Sequence, residues 1–370
     1  MIVFELSTLM GSYTFKPIMG MGEKMLKGFS VYGLFGEYDY EVNLSNGYIT
    51  FIHSLNGRGK STVMKLISDI LKGNIDEIKS VSFERMDLRF SDGTVLIVEN
   101  AGETPLIQMQ KNEIEEEITP EEMRNILDVL YISPERAVIR SGDDICPALE
   151  VYMESLADKL RSAKENDRLA EIPRGGRKEL TDAELEFWSK DLKAKLDFIK
   201  RAGIEPDMPV GYRFPPSRFE IMRYRQDYED LAFSVEEYVK RYYDLSESTI
   251  VYIDIVNDLL TNKSVYINER NILSARMDNG AAIPIDKLSS GEKQMLIMFY
   301  LLLFETKHGS LVIIDEPEIS LHVGWQQNLG KTFSDVARLR EMHVITATHS
   351  PQIIHDNWDL SVELKVENDR

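Results

Sequence analysis

Three groups of residues in this 370-residue chain carry side chains that could do chemistry. Asp315 and Glu316 are adjacent carboxylates that follow the apolar run Leu311-Val312-Ile313-Ile314. One such carboxylate can hold a hard cation while the next orients or deprotonates a water. Ser289, Ser290 and Gly291 form a small-residue turn at a helix start, where free backbone N–H groups and a hydroxyl suit an anion such as phosphate. Asn56, Gly57, Gly59, Lys60, Ser61 and Thr62 make the third group. Its glycines let backbone N–H groups curl around a phosphate, Lys60 supplies a cation, and the Ser61 hydroxyl can ligate Mg²⁺ beside Asp315. A phosphate-sized anion near paired carboxylates calls for a metal or a water, and Mg²⁺ with a nucleotide supplies both.

The elements that must position these groups are legible. The strand-like Tyr48-Ile49-Thr50-Phe51-Ile52 precedes the glycine loop, and the helix-like Val63-Met64-Lys65-Leu66-Ile67 follows it. That is the strand–loop–helix context of a Walker A loop, although Ser54 stands where the pattern has its first glycine. Leu311 to Ile314 reads as a fully apolar strand of a parallel sheet, with Asp315 and Glu316 at its C-terminal end, where open α/β sheets place ligands. Val344 to Thr348 is a second sheet-like run, ending at His349. Met295 to Phe304 makes the apolar helix behind the serine turn.

NGRGKST, LSSGEKQ, LVIIDEPEISLH and ITATHSP, in that order, resemble the ABC-class ATPases, and the style of the last two resembles their soluble, non-transport branch. That branch includes OLD-family ATPases and the ATPase subunits of Septu-like and retron-linked phage-defence systems. The resemblance implies a P-loop NTPase of ABC ATPase type: a mostly parallel α/β sheet core, an antiparallel β subdomain and, here, an inserted helical lobe. It implies ATP and Mg²⁺ as cofactors, Glu316 as catalytic carboxylate and His349 as a sensor of the γ-phosphate. It further implies a head-to-tail dimer in which Ser289, Ser290 and Gly291 serve the partner protomer's ATP. A separate effector chain gated in bacterial anti-phage defence is implied as well. Where transporter relatives carry a glutamine, this chain has Ser133, Glu135 and Arg136, which could contact Mg²⁺-bound water or phosphate, or form a structural salt bridge. Tyr32, Phe35 or Tyr38 could stack on adenine or serve as core or sheet-face aromatics. The alternatives are a transporter's nucleotide-binding subunit, disfavoured by the missing glutamine, and an SMC-like repair ATPase, which needs a coiled-coil arm.

Composition bounds the rest. Sixty-two acidic against 43 basic residues give a net charge of −19, which makes a poor general polyanion binder, so any nucleic-acid contact must be a local basic patch. The single cysteine, Cys146, rules out a disulfide scaffold and fits a cytoplasmic protein. No apolar run is long enough to span a bilayer, and Met1-Ile2-Val3-Phe4-Glu5 shows no secretory start. The expected organisation is residues 1–148 for the Walker A half, 149–264 for the helical lobe and 265–370 for the half with signature, Walker B carboxylates and His349.

Within the lobe, Val151 to Lys164, Asp182 to Arg201 and Phe219 to Tyr243 have helical spacing, and Thr181 with Glu184 matches a capping box. Ile172 to Lys178 is a basic, breaker-rich loop. Arg213, Arg218, Arg223 and Arg225 lie among Tyr212, Phe214, Phe219 and Tyr224. Such a mixture could stack bases and grip phosphates, face a protein partner, or be a solvated helix face.

Overall fold

The computed structural model describes residues 24–366 apart from 101, 103, 113, 142–143, 166–167 and 170–179. The Met1–Glu5 start and the basic loop 172–178 lie outside the described residues. The chain forms two compact units, one built from residues up to Val138 together with Ser289 onward, the other from Ile139–Leu288.

The first unit begins with β1 (Leu26–Leu34), β2 (Tyr38–Asn43), β3 (Ile49–His53), α1 (Lys60–Leu71), α2 (Ile75–Ser80), β4 (Arg85–Phe90), β5 (Val95–Glu99), β6 (Leu106–Lys111), β7 (Ile114–Glu117), α3 (Pro120–Arg124) and β8 (Val129–Ile132). The second unit carries β9 (Val138–Ser141), β10 (Asp144–Pro147), α4 (Ala148–Glu165), α5 (Asp182–Arg201), α6 (Arg218–Leu259), β11 (Lys263–Ile267), β12 (Leu273–Met277) and β13 (Ala282–Ile283). The chain then returns to the first unit with α7 (Ser290–Phe304), β14 (Leu311–Asp315), α8 (Val323–Leu339), β15 (His343–Ala347), α9 (Pro351–Ile354) and β16 (Ser361–Glu363).

In the first unit, five parallel strands lie in the order β16-β3-β15-β14-β8. β14 and β15 are buried at every position, as strands covered on both faces must be. A six-stranded antiparallel sheet, β2-β1-β4-β5-β6-β7, accompanies them. α1 contributes Val63, Met64, Leu66, Ile67, Ile70 and Leu71 to one core that also holds Phe29, Met86 and Leu96 of the antiparallel strands and Ile313 and Ile345 of the parallel ones. The glycine-loop helix is thereby immobilised by apolar contact with both sheets. The acidic stretch after Lys111 becomes the outermost strand β7, exposed throughout; charge there discourages pairing with another edge.

In the second unit, α5 and α6 run in the same direction. Trp188 meets Phe233 with ring centroids 4.8 Å apart and Phe198 meets Tyr243 at 5.3 Å, so the contacts advance together along both helices. Residues 202–217 must therefore return along the length of α5 before α6 starts. Thr181 and Ser217 close capping boxes with Glu184 and Glu220, fixing both helix starts. α6 spans 42 residues with one non-helical residue, Tyr224, near its start, and so extends well past Tyr243. The β11–β12–β13 sheet belongs to this unit rather than to the C-terminal half, and the unit's boundaries differ from 149–264. The reason is local: the Asn257 side chain on α6 accepts from the Val265 N–H at 2.7 Å and donates to the Val265 carbonyl at 3.0 Å.

Candidate nucleotide site

Because every pairing in the central sheet is parallel, the C-terminal ends of β3, β14, β15 and β8 emerge at one edge. Register refines the placement: Asp315 lies opposite Ala347, and Ala347 opposite Ile52. The glycine loop, the Asp315–Glu316 pair and His349 thus leave the sheet side by side.

The loop after β3 turns into α1 through Gly57 at φ 79° and Gly59 at φ 74°, left-handed conformations that glycine adopts without strain. A Cβ on Gly59 would also stand 2.9 Å from Leu34 Cδ2 and 3.0 Å from Phe35 Cε2. Asn56 and Gly57 are exposed, and Ser61 and Thr62 are partly buried in the first turn of α1. Lys60 points inward. Its side chain is 3% exposed, and Nζ is 3.9 Å from Asp315 Oδ1 without a hydrogen-bond partner. Asp315 is fully buried, and Oδ1 also lacks a hydrogen bond. The other oxygen, Oδ2, accepts from the Tyr131 hydroxyl at 3.0 Å. Burial, then the Asp315 charge, pushes the Tyr131 hydroxyl well above the usual phenol range, so it remains a donor.

Two buried atoms of opposite charge, paired at 3.9 Å but without a hydrogen bond on either, keep donor and acceptor capacity that a group bound beside them can satisfy. A triphosphate with Mg²⁺ fits that place, since Lys60, the Ser61 hydroxyl and a single carboxylate are hard, phosphate-compatible groups. Among the described residues no cluster of three or more His, Cys, Asp or Glu could hold a metal unaided.

Glu316 follows Asp315 at φ 45°, a left-handed conformation unusual outside glycine and a form of strain that gathers at functional sites. Its N–H donates to the Ala347 carbonyl at 2.8 Å. His349 Nε2 stands 3.6 Å from Glu316 Oε1, with both side chains about one-third exposed. Glu318 Oε1 accepts from the Thr348 hydroxyl at 2.8 Å and the His349 N–H at 2.7 Å. Arg136, buried beyond the end of β8, donates through Nη2 to the Pro317 carbonyl at 3.1 Å. Burial lowers its guanidinium to about 10, against the pull of Glu318 and Asp315. Of Ser133, Glu135 and Arg136, Arg136 alone turns inward to the carboxylate loop, and it grips backbone.

Ser289 caps α7 and closes a capping box with Glu292, while Ser290 opens the helix in the exposed turn. Gly291 is buried, and a Cβ there would stand 2.6 Å from the Ser320 carbonyl oxygen. The serine turn is therefore packed against the segment between the carboxylates and α8. Of the three candidate aromatics, Phe35 is the exposed one, at the β1–β2 tip beside Gly59; Tyr38 stacks on Tyr40 at 6.1 Å.

In the second unit, the arginine-aromatic stretch carries its own counter-charges. Arg218 Nε is 2.8 Å from Glu186, Arg225 Nε is 3.3 Å from Asp182, and the Tyr212 hydroxyl donates to Asp227 at 3.1 Å. Phe187, Phe219 and Met222 remain exposed there. Internal pairing reduces the charge available to phosphates.

A parallel sheet that gathers a glycine-lysine loop, a buried aspartate, an adjoining glutamate and a histidine at its C-terminal edge, with an antiparallel sheet packed on the loop helix, is the fold of a P-loop ATPase of ABC type. Residues 157–355, more than half of the chain, match the family described as "AAA domain, putative AbiEii toxin, Type IV TA system". The chain belongs to that AAA family. The match takes in the serine turn, the carboxylates and His349 but not the glycine loop. No curated protein matches the chain in sequence. Similar solved structures include the Smc head domain from Pyrococcus furiosus with an extended coiled coil, bound to the C-terminal domain of ScpA; identity is 14%, coverage 93% of this chain and 94% of that one, and the TM-score 0.47. The Smc head domain with a coiled coil and joint from Pyrococcus yayanosii is similar at 12% identity, covering 90% and 93%, with a TM-score of 0.46. Among the described residues no helix is long and apolar enough to cross a membrane.

Proposed function

We propose that this chain binds and hydrolyses ATP at the Lys60–Asp315 cleft, that two copies meet head to tail around the nucleotide, and that the nucleotide state gates a separate effector chain. The observation that carries the reading is the pair of buried, hydrogen-bond-deficient atoms Lys60 Nζ and Asp315 Oδ1, 3.9 Å apart. Asn56, Gly57, Gly59 and Thr62 present backbone and hydroxyl groups to the phosphates, and Lys60 neutralises their charge. Ser61 and Asp315 would hold Mg²⁺, which supplies charge neutralisation on the phosphates when bound. Tyr131 keeps Asp315 Oδ2 occupied, so Oδ1 faces the site. Glu316 accepts a proton from the attacking water or orients it, and His349 holds a donor near the γ-phosphate. Phe35, exposed beside Gly59, offers a face for adenine. Ser289, Ser290 and Gly291 serve the ATP of the partner protomer.

The family description names a "putative AbiEii toxin" and a "Type IV TA system", which supports a role beside a second chain. A place in bacterial anti-phage defence, near the OLD, Septu and retron ATPases, rests on the sequence resemblance. For the second unit, the exposed Phe187, Phe219 and Met222 and the internally paired arginines favour a protein partner over nucleic acid.

Glu316→Gln tests the reading. ATP turnover should fall by about 100-fold or more, while light scattering with ATP and Mg²⁺ shows a dimer that accumulates. Lys60→Ala should lose nucleotide binding and the dimer together. Turnover at the wild-type rate in Glu316→Gln, or a wild-type protein indifferent to ATP, would overturn it.

A further inference from the structure

Glu318 belongs to no role assigned so far, yet it sits at the joint between the two loops that carry Glu316 and His349. Its Oε1 takes two donors from the end of β15: the Thr348 hydroxyl at 2.8 Å and the His349 backbone N–H at 2.7 Å. The residues on either side of His349 are fixed from behind. The Thr348 N–H donates to the Ile52 carbonyl at 3.0 Å, tying it to the strand before the glycine loop. Thr348 Oγ1 in turn accepts from the Ser350 N–H at 2.9 Å, and Ser350 Oγ donates to Gln326 Oε1 at 2.7 Å. On the other side, Arg136 Nη2 holds the Pro317 carbonyl at 3.1 Å, and the Glu316 N–H holds the Ala347 carbonyl at 2.8 Å. Glu318 thus closes a ring of bonds around the segment 316–318 and residues 347–349. The second oxygen, Oε2, is buried and accepts no hydrogen bond, so both hydrogen bonds of the carboxylate go to the end of β15, while its charge also faces the buried Arg136 guanidinium. Hydrogen bonds to a charged acceptor are about twice as strong as neutral ones.

We propose that Glu318 is a positioning residue: it clamps the His349 backbone to the carboxylate loop and so sets the imidazole's distance from Glu316, 3.6 Å between Nε2 and Oε1. This rests on the reading of the site as an ATPase. Without the clamp, the donor His349 offers to the phosphate would wander relative to the carboxylate that acts on water. A misplacement of about 1 Å at a reacting centre costs on the order of 100-fold in rate. The clamp does not touch Lys60 or the glycine loop, so nucleotide affinity is spared.

Steady-state turnover of the full chain, with wild type, Glu318→Ala, Glu318→Gln, His349→Ala and the Glu318→Ala/His349→Ala pair, tests it. Glu318→Ala should lower kcat by about 10- to 100-fold with KM for ATP within about threefold. Glu318→Gln, whose amide oxygen can accept both donors, should recover most of kcat. In the His349→Ala background, Glu318→Ala should cost less than about twofold more, because a residue acting only through His349 has nothing left to act on. A merely structural residue would give losses that multiply in the double variant, and that result would overturn the clamp. If Glu318→Ala does not fold, Thr348→Val, which removes one of the two donors, carries the same cycle with His349→Ala. Wild-type turnover with multiplying losses would defeat the clamp alone. A wild-type protein without turnover would defeat the ATPase reading and the clamp with it.

Discussion

His343 opens β15 at the end of the sheet remote from Asp315 and His349. It is 4% exposed, and neither ring nitrogen has a hydrogen-bond partner. Burial, with Lys27 adding a like charge, lowers its pKa from 6.5 to about 4. The folded chain therefore keeps the imidazole neutral while the unfolded chain protonates it. Between those values the unfolded state binds more protons, so stability is full above pH 6.5 and is lost as pH falls toward 4. From 6.5 to about 4 the linkage amounts to about 2 kcal/mol lost by pH 5 and about 3 kcal/mol below pH 4. His343→Leu removes the titrating group and two unsatisfied buried atoms, so it should be about 1 kcal/mol more stable than the parent at neutral pH. Urea unfolding at pH 7.5 and pH 5.0 measures the effect. A Trp188→Phe background leaves Trp325 and Trp358, both in the unit that holds His343, as the fluorescent reporters. Other groups titrate alike in both proteins and cancel in the difference. The parent should lose about 2 kcal/mol more than the leucine variant between the two pH values; equal losses would refute a buried, neutral His343.

Two further outcomes follow from the site. Tyr131→Phe deletes the donor that occupies Asp315 Oδ2, leaving the carboxylate free to turn, so the Mg²⁺ concentration giving half-maximal ATP turnover should rise about tenfold; a titration shifted less than twofold would remove Tyr131 from the site. Gly291→Ala places a Cβ 2.6 Å from the Ser320 carbonyl oxygen and should destabilise the protein by about 1–3 kcal/mol without any nucleotide present. Denaturation at the wild-type midpoint, with only turnover lost, would mean that the close packing is not what requires glycine there.

Much of this molecule is written locally. The glycine-lysine-hydroxyl loop between an apolar strand and a helix, the capping box at Thr181, the small-residue helix start at Ser289, and the carboxylates after Ile314 each declare themselves within a few residues, because turns, caps and strand alternation depend on near neighbours. Tertiary structure alone decided what those pieces meet. Tyr131 reaches Asp315 across 184 positions because β8 lies beside β14 in that register, and nothing around Tyr131 announces it. Glu318 is an unremarkable acidic residue until β15 brings the Thr348 hydroxyl and the His349 N–H to one of its oxygens. The shared direction of α5 and α6 depends on the returning segment 202–217, whose composition reads only as a breaker-rich linker. Strand order, register and helix direction are pairings between distant segments, set by the whole core at once, and no local pattern encodes them.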